Sequence, residues 1–404
     1  MKNLRIKKLF FLSVLIFGFL LNLTQERDTV SGAKKAGGDV FKAVGIKGKW
    51  GFINTKGKFI IKPEYEDAFS FKDGSAVVKI SRKYGMINKK GEIVISAEYD
   101  SIGDFKEGLA LVMTETKEEN EKAGDINYGF IDKSGKSVIP VEHPDPTDFN
   151  DGLKRTYIYP VTKYGFIDKN NKVVIPFKYE EADVFSEGLA AVGEDSKWGF
   201  IDTKGELKIP IKYDLVRAFN EGFAAVSLNG KEGFVDKNGE VKIPISYEAV
   251  GTFNKGLAPV RLNGKWGFID NKGKTVIPIK YDFWGVWDNI EWTFNEGLQP
   301  VQIGKKWGYI NCKGKEIISA RFDYAYNFNE GLAPVQIKDK RGFINKKGKL
   351  VIPAKYDDVL PFEGGIAAVK LGKKWGFVNK KGKQVLPIKY DINERTLYWG
   401  YIAG

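Results

Sequence analysis

An aromatic residue followed by Gly, or a substitute for that aromatic before the same Gly, recurs ten times along this chain of 404 residues. It stands at Trp50, Tyr84, Tyr128, Tyr164, Trp198, Trp266, Trp307 and Trp375, with Glu232 and Arg341 taking the aromatic place in two copies. Successive spacings are 34, 44, 36, 34, 34, 34, 41, 34 and 34, so the unit is 34 residues with insertions of ten, two and seven. A fixed period of this length marks an array in which no unit buries its apolar face alone and each packs on its neighbour.

Helical repeats share this period, and the residues exclude them. Each unit carries two or three Gly and usually a Pro, too closely spaced for two helices of a dozen residues. The apolar runs are short, β-branched or aromatic, and separated by turn residues. In the cleanest copy, KWGFIDTKGELKIPIKYDLVRAFNEGFAAV, this reads as three short antiparallel strands: LAAV-like, WGFID-like and VVIP-like. Asn or Asp closes the second strand in every unit (Asn54, Asp202 and Asn379 among them), and a Gly follows three residues later except at Asn171. That pairing predicts an Asx-opened type I turn ending in a left-handed residue, a conformation Asn tolerates best after Gly. Pro at the end of the third strand (Pro140, Pro176, Pro210 and their equivalents) is expected to stop ladder pairing there. A Phe three residues before the Gly that opens strand one, such as Phe219 or Phe253, is expected to pack between neighbouring units.

The signature KWGFID…GK.VIP.KYD…F.EGLA.V resembles the bacterial WG-repeat (KWG) proteins, over about residues 40–391. The resemblance implies an exported or envelope-associated binding array and supplies no catalytic residues, because the shared motif is structural. Trp50, Trp198, Trp266, Trp307 and Trp375 are therefore assigned to the repeat framework. Strands apolar at consecutive positions imply sheets covered on both faces. The fold class is all-β and propeller-like, with an open solenoid or superhelix, or two rings of five units, as the alternatives. Residues 40–44 keep the strand-one spacing ahead of Trp50, and the tail at 392–404 offers a further strand, so the two termini are expected to help close a ring.

Ahead of the array, residues 2–8 carry four basic side chains and no acid, and residues 9–23 are nearly all apolar. This is the form of a secretory signal and is short for a membrane span. Residues 1–24 are read as a signal peptide or an N-terminal anchor, and residues 25–39 as a flexible linker. The chain is expected to be exported to the periplasm, cell surface or medium, or held in a membrane by residues 9–23.

Candidate chemistry is sparse. A single Cys (Cys312) and a single His (His143) exclude a disulfide framework and a multi-Cys metal site, and no cofactor is expected. Cys312 falls in a hairpin loop, and His143 replaces the Tyr or Phe of other units, so both read as framework substitutions. Acids recurring after that aromatic (Glu66, Asp100, Glu180, Asp214, Asp282, Asp357, Asp391) suit turn capping, whereas a glycosidase needs one special pair. From the Asx to the residue after the turn Gly, the ten tips hold 20 Lys against three Glu and five Asp. They thus hold most of the formal charge of +13, and if they share one rim it is basic. Nucleic acid is disfavoured by export and by the lack of Arg clusters. The seven-residue insertion carries Phe283, Trp284, Trp287 and Trp292, which the framework does not need; clustered Trp suits a sugar face or a partner, or else forms a local plug. The function expected is a non-enzymatic scaffold for a protein or polymer. The alternative is an envelope glycan-binding module using the Trp insertion and the basic rim.

Overall fold

The computed structural model describes residues 41–54, 56–116, 125–158, 162–282 and 294–390. These form ten small antiparallel sheets, one per repeat unit, numbered here in chain order. Sheet 5 serves as the pattern: Leu189–Glu194, Lys197–Asp202 and Leu207–Tyr213 are its strands one, two and three. Among the described residues, seven sheets carry a fourth strand ahead of strand one, as Glu181–Ser186 does in sheet 5, and sheets 1, 4 and 8 have three. The three expected strands are present in every unit, and the fourth adds to them. The extra strand is only two residues long in sheets 2, 6, 7, 9 and 10, too brief to show a two-residue alternation.

The Gly after the aromatic is explained by the crossing of strands two and three. Trp198 pairs with Tyr213 and Phe200 with Ile209, so two steps on strand two face four on strand three. Strand three thus bulges and runs obliquely across its neighbour at Gly199. A β-carbon on Gly199 would lie 2.5 Å from the Ile209 carbonyl oxygen and 2.8 Å from the Ile211 nitrogen. The same obstruction recurs at Gly51, Gly85, Gly267 and Gly342, each below 3.0 Å from backbone. Pro210 sits inside this bulge, between the paired Ile209 and Tyr213. The expectation that Pro ends strand three is thus corrected: the strand continues to its Tyr, and Pro occupies a stretch where no ladder hydrogen bond is required.

Hairpin tips follow the expected chemistry. Asp202 Oδ1 accepts from the backbone N–H of Lys204 (2.9 Å) and Glu206 (3.0 Å), and Gly205 at φ 82° donates to the Asp202 carbonyl. Asn171 adopts φ 61° in the copy without Gly. Each tip then packs on the preceding sheet: a β-carbon on Gly205 would stand 3.3 Å from Ile175, and one on Gly239 3.3 Å from Ile209. The recurrent Phe completes the layer. Phe200 of sheet 5 meets Phe219 of unit 6 edge-on at 4.9 Å, and Phe234 meets Phe253 at 4.7 Å.

Sheet 1 continues this pattern against sheet 10. The Gly57 tip faces Leu386 as other tips face the Ile of the preceding unit. Val44 and Ile53 share a buried cluster with Ile366, Trp375, Phe377 and Leu386, and Lys42 pairs with Glu363. The ten sheets therefore close one ring of propeller-like form, and the open solenoid and the pair of five-unit rings are excluded. The residues from 42 onward supply strand one of sheet 1 itself, Lys42–Ile46. Residues 1–39, expected to be a signal or anchor and a linker, and the tail at 392–404 lie outside the described residues. No helix among the described residues is long and apolar enough to cross a membrane.

Candidate interaction faces

Because every sheet repeats one contact with its neighbour, the ten Asx tips lie on one face of the ring, together with the turns that open strand one. Those opening turns are two-residue hairpins with both residues at positive φ, such as Glu221 (51°) and Gly222 (83°), as a type I′ turn requires. An acid fills the first place in most of these turns, replaced by Lys255 in unit 7 and Gly364 in unit 10, and in several units it reaches the next unit. Glu187 accepts from the Gly222 N–H (3.0 Å), Glu221 from Gly256 (2.8 Å) and Glu296 from Gly331 (3.0 Å). The residue after the Asx supplies a further clasp: Lys237 pairs with Glu187 (3.2 Å), Lys346 with Glu296 (3.0 Å) and Lys380 with Glu330 (3.1 Å). Part of the basic rim is thus neutralised by inter-unit acids. The sequence showed both partners; only the ring sets the Lys of one unit beside the Glu of the unit before it.

The opposite face is built from the turns joining strands one and two. Here the acid after the strand-three aromatic performs capping. Asp214 accepts from the Asn229 N–H (2.6 Å) and pairs with Lys197, the Lys that opens KWG. Asp100 does the same with Lys83 (2.8 Å) and the Glu115 N–H (2.8 Å), and Asp357 with Lys340 and the Gly372 N–H (2.6 Å). The side-chain hydrogen bond from Lys197, then the backbone donor, holds the Asp214 carboxyl below the usual carboxylate range, and Asp282 and Asp357 follow suit with Lys265 and Lys340. Asp391 lies outside the described residues.

The framework Trp residues stand opposite the strand-three aromatic, Trp50 against Tyr65 and Trp307 against Phe322. Trp307 and Trp375 are buried, and Trp50, Trp198 and Trp266 half-buried. The departures keep the place and change the chemistry. Glu232 accepts from Arg217 (3.0 Å) and from the Val250 N–H of the next unit (2.8 Å), while Arg341 pairs with Asp358. Cys312 is exposed. His143 pairs with Tyr128 in the ladder, and burial pushes its pKa down. Phe283, Trp284, Trp287 and Trp292 lie outside the described residues, so the ligand-binding assignment of that insertion keeps its sequence basis alone. No group of side chains able to hold a metal ion occurs among the described residues.

One polar cluster escaped the sequence reading. Strand one of unit 4 reads LKRTYI where others read LAAV, and that departure was its signal. Lys154 is wholly buried; its Nζ donates to the carbonyls of Asp145 (2.8 Å) and Thr147 (2.8 Å) and lies 5.4 Å from the Phe130 ring. Arg155 Nε meets the buried Asp145 carboxylate at 3.1 Å, its Nη1 donates to the Ala182 carbonyl of unit 5, and its guanidinium stacks over Tyr164. Burial pushes the Lys154 pKa down to about 8.

A closed ring of ten antiparallel sheets, whose repeated polar side chains cap turns and join neighbours, defines a repeat-built, propeller-like protein. The chain belongs to the WG containing repeat family, which matches at residues 50–84, 84–117, 128–153, 164–198, 198–231, 233–266, 266–307, 307–340, 342–375 and 375–391. No curated protein matches the chain. Among solved structures it is similar to a eukaryotic initiation factor, with a TM-score of 0.51 at 13% identity, over 78% of this chain and 95% of that one. It is also similar to AztD of Citrobacter koseri, with a TM-score of 0.32 at 11% identity over 87% and 96% of the two chains. At such identities the first likeness concerns the fold alone.

Proposed function

We propose that this protein is a non-enzymatic, exported scaffold that holds a protein or polymer partner on a face of its ring. The observation carrying this reading is the use of the recurrent carboxylates. The acids after the strand-three aromatic cap turns or pair with Lys, as Asp100, Asp214 and Asp357 do, and so serve the framework rather than a reaction. Two broad faces built from repeated turns remain for contact. Export rests on the basic and apolar residues at 2–23. Fractionation of a producing bacterium tests it: the chain should leave the cytoplasm, and retention there contradicts export.

Glycan binding through Trp284 and Trp287 is the second reading, favoured by three Trp concentrated in one insertion. A glycan array probed with the full chain and with Trp284→Ala plus Trp287→Ala separates the two. Binding lost in the variant assigns the insertion to glycans. No glycan binding by either protein removes that reading, and capture of one defined partner by both supports the scaffold.

A further inference from the structure

Tip lysines are not spread evenly round the ring. Lys-Gly-Lys occupies the tip in units 7 (272–274), 8 (313–315), 9 (347–349), 10 (381–383) and 1 (56–58). In units 2, 5 and 6 the second Lys is replaced by Glu92, Glu206 and Glu240, and units 3 and 4 lose the first to Ser134 and Asn170. Along the chain unit 1 is remote from the others. Packing of sheet 1 on sheet 10 makes the five tips consecutive over half of one face.

All ten of these lysines are exposed, and none has an ion-pair partner among the described residues. The acids nearest them are already engaged: Glu296 and Glu330 by Gly N–H groups and by Lys346 and Lys380, Glu363 by Lys42. Asp270, at the foot of the unit 7 tip, accepts from the backbone N–H groups of Lys272 and Lys274. Glu316 follows Lys315 at the unit 8 tip. We propose that this arc of paired lysines seats the ring on an anionic lipid surface, a role beyond the scaffold reading. Three features favour a bilayer. The lysines crown tips on one face of a ring, which suits a flat partner. Each is a flexible point charge rather than an Arg fork set for a fixed anion geometry. Exposed apolar side chains stand just behind the tips all round this face, where headgroups give way to acyl chains. Ile60, Ile317 and Leu350 are at 42%, 41% and 38% exposure in the arc and Ile93, Leu207 and Val241 at 61%, 53% and 52% outside it, so the lysines and not the apolar residues select the arc.

The test is co-sedimentation of the full chain with vesicles of phosphatidylglycerol and phosphatidylcholine in equal parts, against pure phosphatidylcholine. The neutral vesicles report any contribution of residues 9–23. The excess binding to anionic vesicles should fall about tenfold or more when Lys56, Lys272, Lys313, Lys347 and Lys381 are changed to Gln. It should persist when Lys178, Lys212, Lys280, Lys355 and Lys389, at the far end of strand three, are changed to Gln instead. Lysine acetylation read by mass spectrometry gives an independent measure: anionic vesicles should protect the arc and leave Lys178 and Lys212 reactive. Equal binding to both vesicle types, an arc variant that binds like the parent, equal losses in the two variants, or uniform protection overturns the proposal. So does binding of soluble polyphosphate without binding of anionic vesicles, which assigns the arc to a polymer.

Discussion

At the residue scale, Gly serves two separate physical needs, and substitution tells them apart. Gly199 has no room for a β-carbon, because the Ile209–Ile211 backbone crosses it. Gly222 has open space around it and is constrained by φ 83° alone. Gly199→Ala is expected to cost about 2–3 kcal/mol, since the obstructing atoms are backbone, and Gly222→Ala about 1 kcal/mol. Urea unfolding of the full chain measures both, and equal costs would contradict the crossing. The buried Lys154 gives a pH signature. Its folded pKa of about 8 lies below its unfolded value, so the unfolded chain binds more protons between them. Its contribution to stability should therefore rise from pH about 8 to pH about 10. Lys154→Met should flatten that alkaline rise, and an unchanged slope would place the ammonium in water.

At the element scale, the acid-capped turns couple strand one to strand two. Asp214, Asp282 and Asp357 have folded pKa values below their unfolded ones. Their stabilisation is present above the ordinary carboxylate pKa of about 4 and is lost as pH falls through the lowered values. Replacing all three with Asn should lower the melting temperature at pH 7 and shrink the loss on acidification. A parallel acid-induced loss in parent and variant would show that these acids do not govern it. Much of this level was legible in the sequence, because Asx tips, turn Gly and interlocking Phe are set by local chemistry that repeats ten times. What stayed hidden depends on contacts between strands. The role of Gly199 needs the oblique path of strand three, and the place of Pro210 needs the bulge. The two-residue fourth strands have too few residues to announce themselves, and Lys154 reads as an ordinary surface Lys until its side chain is seen buried on the Asp145 and Thr147 carbonyls.

At the scale of the whole molecule, closure joins the two ends of the array and gives the faces their pattern. It buries Val44 and Ile53 against Trp375 and Leu386, and it places the unit 1 tip beside that of unit 10. The sequence left a ring, a solenoid and two smaller rings open, since a 34-residue period fixes the neighbour and not the rotation between neighbours. The scaffold and the lysine arc both depend on which of these forms. Single-particle electron microscopy of the full chain tests it directly. Face-on class averages should show one closed ring with ten radial densities; a crescent with a gap between the first and last units, or two lobes of five, would contradict the account.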